Sequence, residues 1–135
     1  AGPGRPAALL RQRVVSPDGQ PVRASNGRSV AVDGAFHPRA LRAGDVLVLP
    51  GIAKAATLSG LDLLLARAET LRISAQIARL VRRGVLVAAS CSATFVLAAG
   101  GALDGRQATT TWWLSPVFAR RFPAVTLCPD RMVVD

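Results

Sequence analysis

The chain has 135 residues, of which 50% are hydrophobic and 19% are charged, and its formal net charge is +9. This length suits one domain with one core, and so apolar a composition excludes an intrinsically disordered chain. Two cysteines and one histidine exclude a disulfide scaffold, a four-cysteine zinc site and a two-histidine metal site within one chain.

The predicted elements begin with strands. Residues 12–16 form a short strand that ends in a Ser-Pro-Asp-Gly turn at residues 16–19. Residues 21–25 and 28–32 flank Asn26-Gly27, a dipeptide that favours a type I′ β-hairpin. The apolar runs at residues 45–49 and 85–90 are short and do not alternate, which is typical of strands buried on both faces of a parallel sheet.

Helices are predicted between and after these strands. One helical region has two pieces, residues 58–68 and 70–83, and Gly84 ends the second piece. Further helices are predicted at residues 92–100 and 114–121. Extended segments are predicted at residues 107–111, 124–127 and 131–134. Strands that alternate with helices at this spacing predict an α/β fold with a mainly parallel sheet.

Residues 89–93, with the sequence Ala-Ser-Cys-Ser-Ala, carry the sharpest chemical signal. A strand enters Cys91 and a helix leaves it, with small residues on both sides, which is the layout of a nucleophile elbow. The backbone N–H of Ser92 and the turn formed by Pro50, Gly51 and Ile52 would supply oxyanion donors. This arrangement is plausible for acyl transfer to a cysteine thiolate.

The partners of such a nucleophile are not evident in the sequence. A catalytic cysteine needs a base or an acid within hydrogen-bond reach, and the only histidine, His37, lies in the loop before the first buried strand. The alternative interpretation of Cys91 is a small buried residue at a strand end. Cys128 lies in a turn and is expected to be structural. No metal site is predicted, and nucleotide binding is not expected because no phosphate-binding glycine loop is present.

Trp112 and Trp113 are adjacent in a chain with only 4% aromatic residues. Packing in the core or in a dimer interface is the favoured role, and lining of a ligand pocket is the alternative. The charge is carried almost wholly by arginine, since Lys54 is the only lysine. Because the arginines are spread along the chain and not interleaved with aromatic residues, we interpret them as a solvated surface rather than a DNA-binding face. No segment is predicted to span a membrane.

Several motifs together suggest a family. They are the elbow and helix from residue 87 onward, a Leu-Asp-Gly-Arg turn at residues 103–106, and the Ala-Thr-Thr-Thr-Trp stretch at residues 108–112. Residues 14–19, 46–51, 121–125 and 129–130 add to the pattern, so it covers about residues 11–135. The chain resembles ThiJ/PfpI-like proteins, and more closely the version fused ahead of an AraC-type DNA-binding domain in bacterial regulators.

The resemblance implies a class I glutamine amidotransferase-like fold: a flavodoxin-like three-layer α/β sandwich with a mainly parallel sheet, here with a small β-hairpin. It also implies a domain that is usually dimeric and that acts as the sensor half of a transcription factor. Residues 1–10 are then a flexible lead-in, and residues 11–135 a sensor domain that is incomplete at both ends. The first strand and its acid would precede Ala1, and the DNA-binding helices would follow Asp135.

The chain departs from the enzymatic relatives. Ser92 stands where protease-like members carry histidine, Ile52 where many have a second glycine, and Thr111 where histidine usually precedes Trp112. These departures argue against hydrolysis. Cys91 is left as a candidate catalytic residue, or as part of a ligand pocket whose other predicted residues are Gly51, Ile52, Ser92, Thr111 and Trp112.

We therefore expect a cytoplasmic ligand-sensing and dimerisation domain of an AraC-type regulator, without catalysis and without a cofactor. Its partners would be a small-molecule effector and a second copy of the chain, with DNA bound only by a domain outside this chain. The alternative is a ThiJ/PfpI-class cysteine hydrolase or hydratase that uses Cys91. A third possibility is a dimerising scaffold that binds no small molecule.

Overall fold

The structure is a computed structural model, and it describes residues 10–135. The chain divides into two compact units, with the boundary between Phe36 and His37. Apart from its last residue, Leu10, the predicted lead-in lies outside the described residues.

The first unit contains two pairs of short strands: β1 (Val15–Ser16) is parallel to β4 (Gly34–Ala35), and β2 (Val22–Arg23) is antiparallel to β3 (Ser29–Val30). The predicted hairpin is confirmed, but its turn is not type I′. Among the two central residues only Gly27 has a positive φ, of 81°. The side chain of Asn26 instead accepts a hydrogen bond from the Arg28 N–H at 3.0 Å. The hairpin therefore closes through a longer loop with one left-handed glycine.

The second unit alternates strands and helices. Its strands form two parallel pairs, β5 (Val46–Leu49) with β6 (Leu86–Ala89) and β7 (Gln107–Ala108) with β8 (Thr126–Leu127). Its α-helices are α1 (Leu58–Ala66), α2 (Ala68–Arg82), α3 (Ala93–Ala99) and α4 (Ser115–Arg121). Short 3-10 helices lie at Pro38–Ala40, Ala53–Ala55 and Trp112–Leu114. The predicted flavodoxin-like α/β fold with mainly parallel strands is confirmed.

Local chemistry sets the helix boundaries. The side chain of Thr57 accepts a hydrogen bond from the Gly60 N–H at 3.2 Å and so caps the start of α1. After α2, Gly84 adopts a positive φ of 85°, a conformation that strains other residues and commonly ends a helix. Helix α1 ends at Ala66 and α2 begins at Ala68, so the predicted boundary between the two helical pieces is confirmed to within about two residues.

The core of the second unit is built around an aromatic group. Phe95 and Phe118 are fully buried, with ring centroids 5.0 Å apart at an interplanar angle of 85°. Phe122 packs beside both rings. Apolar side chains from α1, α3, β7, two of the 3-10 helices and the residue before β8 complete this cluster: Ala55, Leu61, Ala98, Ala108, Leu114 and Val125. Edge-to-face rings of this kind fix how α3 and α4 pack together.

Two predictions about strands are wrong. Strands β5 and β6 are not buried on both faces, because Val48 is 64% exposed and Leu86 is 63% exposed, while Leu47 and Leu49 are half-buried. Helices α2 and α3 contact β6, and in the described residues the alternate side chains of this strand pair remain exposed. Residues 131–134 form no strand. The carbonyl of Arg131 instead accepts a side-chain hydrogen bond from Thr109 at 2.8 Å.

Candidate functional site

The carboxyl ends of β5 and β6 bring the predicted site residues together. The two strands run parallel with Leu49 opposite Ala89, so the turn after β5 and the elbow after β6 lie at the same edge. That edge is where parallel α/β sheets bind ligands. We call the group formed by Gly51, Ile52, Ser90, Cys91, Ser92, Thr110 and Thr111 the elbow site.

Cys91 occupies a strained position at the centre of the elbow site. Its φ is 53°, and it is the only non-glycine residue with a positive φ among residues 10–135. A left-handed conformation costs a non-glycine residue on the order of 1 kcal/mol or more. Gly51 lies directly against it, since a Cβ placed on this glycine would be 3.1 Å from the Cys91 Cβ. A residue larger than glycine would therefore push the turn away from the cysteine.

Serine hydroxyls accept hydrogen bonds from two backbone amides of the turn at residues 50–52. The Gly51 N–H donates to the Ser90 hydroxyl oxygen at 3.0 Å, and the Ile52 N–H donates to the Ser92 hydroxyl oxygen at 3.0 Å. The Ser92 hydroxyl in turn donates to the Ile52 carbonyl at 2.9 Å. Ser92 is 0% exposed, so its side chain and the backbone of Ile52 satisfy one another away from solvent. The predicted oxyanion donors of this turn are thus already hydrogen-bonded.

Threonine hydroxyls hold the other side of the elbow site. The Thr111 hydroxyl donates to the Cys91 Sγ over a distance of 2.7 Å, and the Thr110 hydroxyl donates to the Cys91 carbonyl at 2.9 Å. Both threonines follow β7, so the chain returns to the elbow through a segment that the sequence places some twenty residues away. The polar neighbour of the thiol is therefore a hydroxyl, which is a far weaker base than an imidazole or a carboxylate.

His37 is not brought to the elbow site. Arg83 donates from its guanidinium to the carbonyls of Pro38 and Leu41, which ties the segment after His37 to the end of α2 that leads into β6. Cys91 follows the other end of that strand. The four residues of β6 span about 13 Å at the usual rise per residue. His37 is also exposed.

The two tryptophans lie beside the elbow site and are not part of the core. Trp112 is 77% exposed, and Trp113 donates from its indole N–H to the Ala56 carbonyl at 3.0 Å. Their rings meet edge to face, with centroids 5.6 Å apart. The favoured role for the two tryptophans was packing in the core or in a dimer interface. The prediction that they pack in the core is therefore wrong. Because Trp112 directly follows Thr111, its exposed ring lies next in the chain to a residue that contacts the Cys91 thiol.

Two contacts of the elbow site were not predicted from the sequence. Ser90 and Thr110 received no role, although both are hydroxyl residues placed at the carboxyl ends of strands. That placement is the signal that could have found them.

Cys128 is half-buried, with its Sγ 3.9 Å from the Thr126 carbonyl. Within residues 10–135, no three His, Cys, Asp or Glu side chains form a group that could hold a metal ion.

The comparisons with known proteins settle the family. The sequence pattern of the DJ-1/PfpI family matches residues 6–121. The chain belongs to the DJ-1/PfpI family. The predicted ThiJ/PfpI resemblance is thereby confirmed, and the elbow site lies within the matched residues of this DJ-1/PfpI domain.

Similar proteins include regulators. The HTH-type transcriptional regulator CdhR of Pseudomonas aeruginosa is 36% identical over 129 residues, which are 96% of this chain and 35% of that protein. An uncharacterised protein encoded in the cpoL 5′ region of Streptomyces lividans is 38% identical over 117 residues, covering 87% of this chain and 75% of that protein. This chain therefore spans about a third of the length of the Pseudomonas regulator.

A solved structure shares the fold. The crystal structure of a candidate transcriptional regulator protein from Vibrio parahaemolyticus matches with a TM-score of 0.70 at 21% identity. The match covers 91% of this chain and 60% of that chain. None of the described helices of this domain is long and apolar enough to cross a membrane.

Proposed function

We propose that this DJ-1/PfpI domain is the ligand-sensing and dimerisation part of an AraC-type transcription regulator and that it has no catalytic activity. The effector is a small molecule bound at the elbow site, beside Trp112. DNA is bound by a different part of the regulator, outside this chain, and the protein acts in the cytoplasm, where bacterial regulators meet DNA.

The observation that carries the proposal is the hydrogen bonding around Cys91. A cysteine hydrolase needs a base or an acid on its thiol and free amide donors for the oxyanion. Here the thiol accepts from the Thr111 hydroxyl, and the amides of Gly51 and Ile52 donate to serine hydroxyls. Such a site can hold a ligand through hydroxyl groups and an indole face without transforming it.

The relatives support the regulatory part of the proposal. The Pseudomonas protein is named as an HTH-type transcriptional regulator, and it aligns with 96% of this chain. Because that protein is nearly three times as long as the aligned segment, it has room for a DNA-binding part elsewhere. The arginines of this chain are spread from Arg5 to Arg131, in keeping with a domain that does not itself read DNA.

The first experiment tests the absence of catalysis. Wild type and a Cys91→Ser variant are compared for hydrolysis of p-nitrophenyl acetate at equal protein concentration. We expect the two proteins to give the same rate, because no group in the described elbow site activates the thiol for turnover. Turnover that depends on Cys91 would contradict the proposal.

The second experiment tests ligand sensing. A library of small polar metabolites is screened for compounds that raise the thermal midpoint of unfolding, and each hit is repeated with Thr111→Val and with the exposed control Thr126→Val. A ligand at the elbow site stabilises wild type and the control but stabilises Thr111→Val less, because the hydroxyl next to Cys91 is gone. Equal stabilisation of all three proteins would place the ligand elsewhere. Sedimentation equilibrium of the same samples tests the dimer.

The alternative function is a DJ-1/PfpI-class cysteine hydrolase or hydratase that uses Cys91. One observation favours it, namely the positive φ of 53° at Cys91, since strained backbone at a strand-to-helix turn is a feature of nucleophile elbows. The ester assay above separates the two functions, because only the enzyme loses turnover when the thiol is replaced by a hydroxyl.

A further inference from the structure

The further inference concerns Ser90 and Ser92, which flank the cysteine. We propose that these two serines act as positioning residues that close the amides of the Gly51–Ile52 turn, so that this turn does not bind anions or the oxyanions of acyl transfer. The inference deepens the proposed function and rests on it, because it names the chemistry that the sensor site rejects and the residues responsible.

The Gly51–Ile52 turn lies directly beside the cysteine. Gly51 lies against the cysteine, with its virtual Cβ 3.1 Å from the Cys91 Cβ and 3.7 Å from the Ser90 hydroxyl oxygen. Any molecule bonded to, or bound directly at, the thiol therefore lies next to this turn. In an acyl-transfer site with this layout, the amides of such a turn act together with the N–H that follows the nucleophile to stabilise a negative charge.

Both amide donors of the turn are already hydrogen-bonded. Each amide donates to a serine hydroxyl at 3.0 Å, one serine on either side of Cys91. Ser92 is held most firmly, since it is fully buried and also donates to the Ile52 carbonyl. A hydroxyl bound to the protein at both its oxygen and its hydrogen cannot move aside without leaving a buried amide unpaired. An incoming anion would have to break these bonds to reach either amide of the turn.

No charged side chain takes part in the described hydrogen bonds of the elbow site. The hydrogen bonds of the group use hydroxyls, backbone carbonyls, backbone amides and the thiol alone. Because these contacts include no lysine and no arginine, an anion beside the turn loses its hydration and gains no charged partner there. The described geometry therefore favours an uncharged or cationic group beside the Gly51–Ile52 turn.

The experiment compares two alkylating reagents that differ in charge. Cys91 is alkylated with iodoacetate and, separately, with iodoacetamide; in both reactions the thiolate sulfur forms a bond to the methylene carbon and iodide leaves. Peptide mapping by mass spectrometry follows Cys91 and Cys128 in the same sample. Both rates are proportional to the same fraction of ionised thiol, so this fraction cancels in the iodoacetate-to-iodoacetamide rate ratio. The ratio therefore reports only the preference of Cys91 for the anionic reagent.

The expected result is a gain of anion preference. In Ser92→Ala and in Ser90→Ala the freed amide can bind the carboxylate of iodoacetate, and the iodoacetate-to-iodoacetamide ratio at Cys91 rises about five-fold, as expected for one charge-assisted hydrogen bond. Ser90→Thr keeps a hydroxyl and restores the wild-type ratio. Ser74→Ala, which removes a buried hydroxyl from α2, leaves the ratio unchanged. The ratio at Cys128 stays constant in every variant.

The outcomes separate this inference from the proposed function. An unchanged ratio at Cys91 in folded Ser90→Ala overturns the inference, because the exposed Ser90 can be removed without disturbing the core, and the sensor proposal then stands on the ester assay alone. Cys91-dependent ester turnover in wild type overturns the proposed function and this inference together. A raised ratio in both alanine variants, with Ser90→Thr restored, supports the assigned roles.

Discussion

Removing the Ser92 hydroxyl tests how strongly the elbow site is held to the turn before it. Ser92→Ala deletes the acceptor of the Ile52 N–H and the donor to the Ile52 carbonyl, at 3.0 and 2.9 Å. The side chain is 0% exposed, so water does not replace the hydroxyl. A buried amide left unpaired costs about 1–3 kcal/mol, and we expect the free energy of unfolding to fall by about 2 kcal/mol.

Two matched variants set the scale for that loss. Ser90 makes one bond to the same turn but is exposed, so Ser90→Ala should cost no more than about 0.5 kcal/mol. Ser74 is as buried as Ser92, but it donates to the Thr70 carbonyl within α2, so its loss leaves a carbonyl that the helix also satisfies. Ser74→Ala should therefore cost about 0.5–1 kcal/mol.

The assay is urea unfolding followed by circular dichroism at constant temperature. With a slope of about 1–3 kcal/mol/M, a loss of about 2 kcal/mol moves the midpoint down by about 0.7–2 M, provided that the slope itself does not change. A Ser92→Ala midpoint that coincides with that of Ser90→Ala would refute the reasoning. The two buried hydrogen bonds between Ser92 and Ile52 would then contribute no more to stability than the one exposed hydrogen bond of Ser90.

Three further changes have defined expectations in the same assay. Gly60→Ala places a methyl group against the Lys54 carbonyl and should lower the free energy of unfolding by about 2 kcal/mol through overpacking. Phe118→Ala empties the centre of the aromatic group and should cost about 3–5 kcal/mol. The Gln20 N–H lowers the pKa of Asp18 below its ordinary value of 3.8, so the stability that the ionised carboxylate contributes is present above pH 3.8 and is lost as the pH falls through the lower folded pKa.

The controls for these changes lie close by. Ser59→Ala, one residue before Gly60 and exposed, should change the free energy of unfolding by less than about 0.5 kcal/mol. Trp112→Ala should do the same, because its large side chain is exposed, and a loss comparable to that of Phe118→Ala would contradict the described core. Asp18→Asn should remove the acid-dependent loss assigned to Asp18, and an unchanged pH profile would count against it.

The elements of the second unit could be predicted well because their signals are local. The apolar runs around β5 and β6, the periodic face of α2 and the glycine at residue 84 are all legible in the sequence, and each predicted helix lies within two residues of an observed one. The turn of the hairpin could not be predicted as reliably. Its geometry depends on whether the Asn26 side chain bonds to the backbone, which the dipeptide alone does not decide.

The exposure of the predicted strands and tryptophans depended on distant residues. An apolar run looks the same whether one face or both faces are packed, so the exposed Val48 and Leu86 carry no signal of their own. Trp112 and Trp113 looked like core or interface residues by composition. Their exposure follows from the 3-10 helix at Trp112–Leu114, which buries Leu114 and turns both indoles outward.

The sequence by itself determined the family, the alternation of strands and helices, and the position of Cys91 between a strand and a helix, because these depend on spacing along the chain. Only the tertiary structure decided what surrounds the thiol. Gly51 and Thr111 reach Cys91 from turns that lie 40 residues before it and 20 residues after it, and parallel strands join such distant segments at one edge. The serines flanking Cys91 are small residues in the sequence, and they close the turn's amides only because β5 ends beside β6.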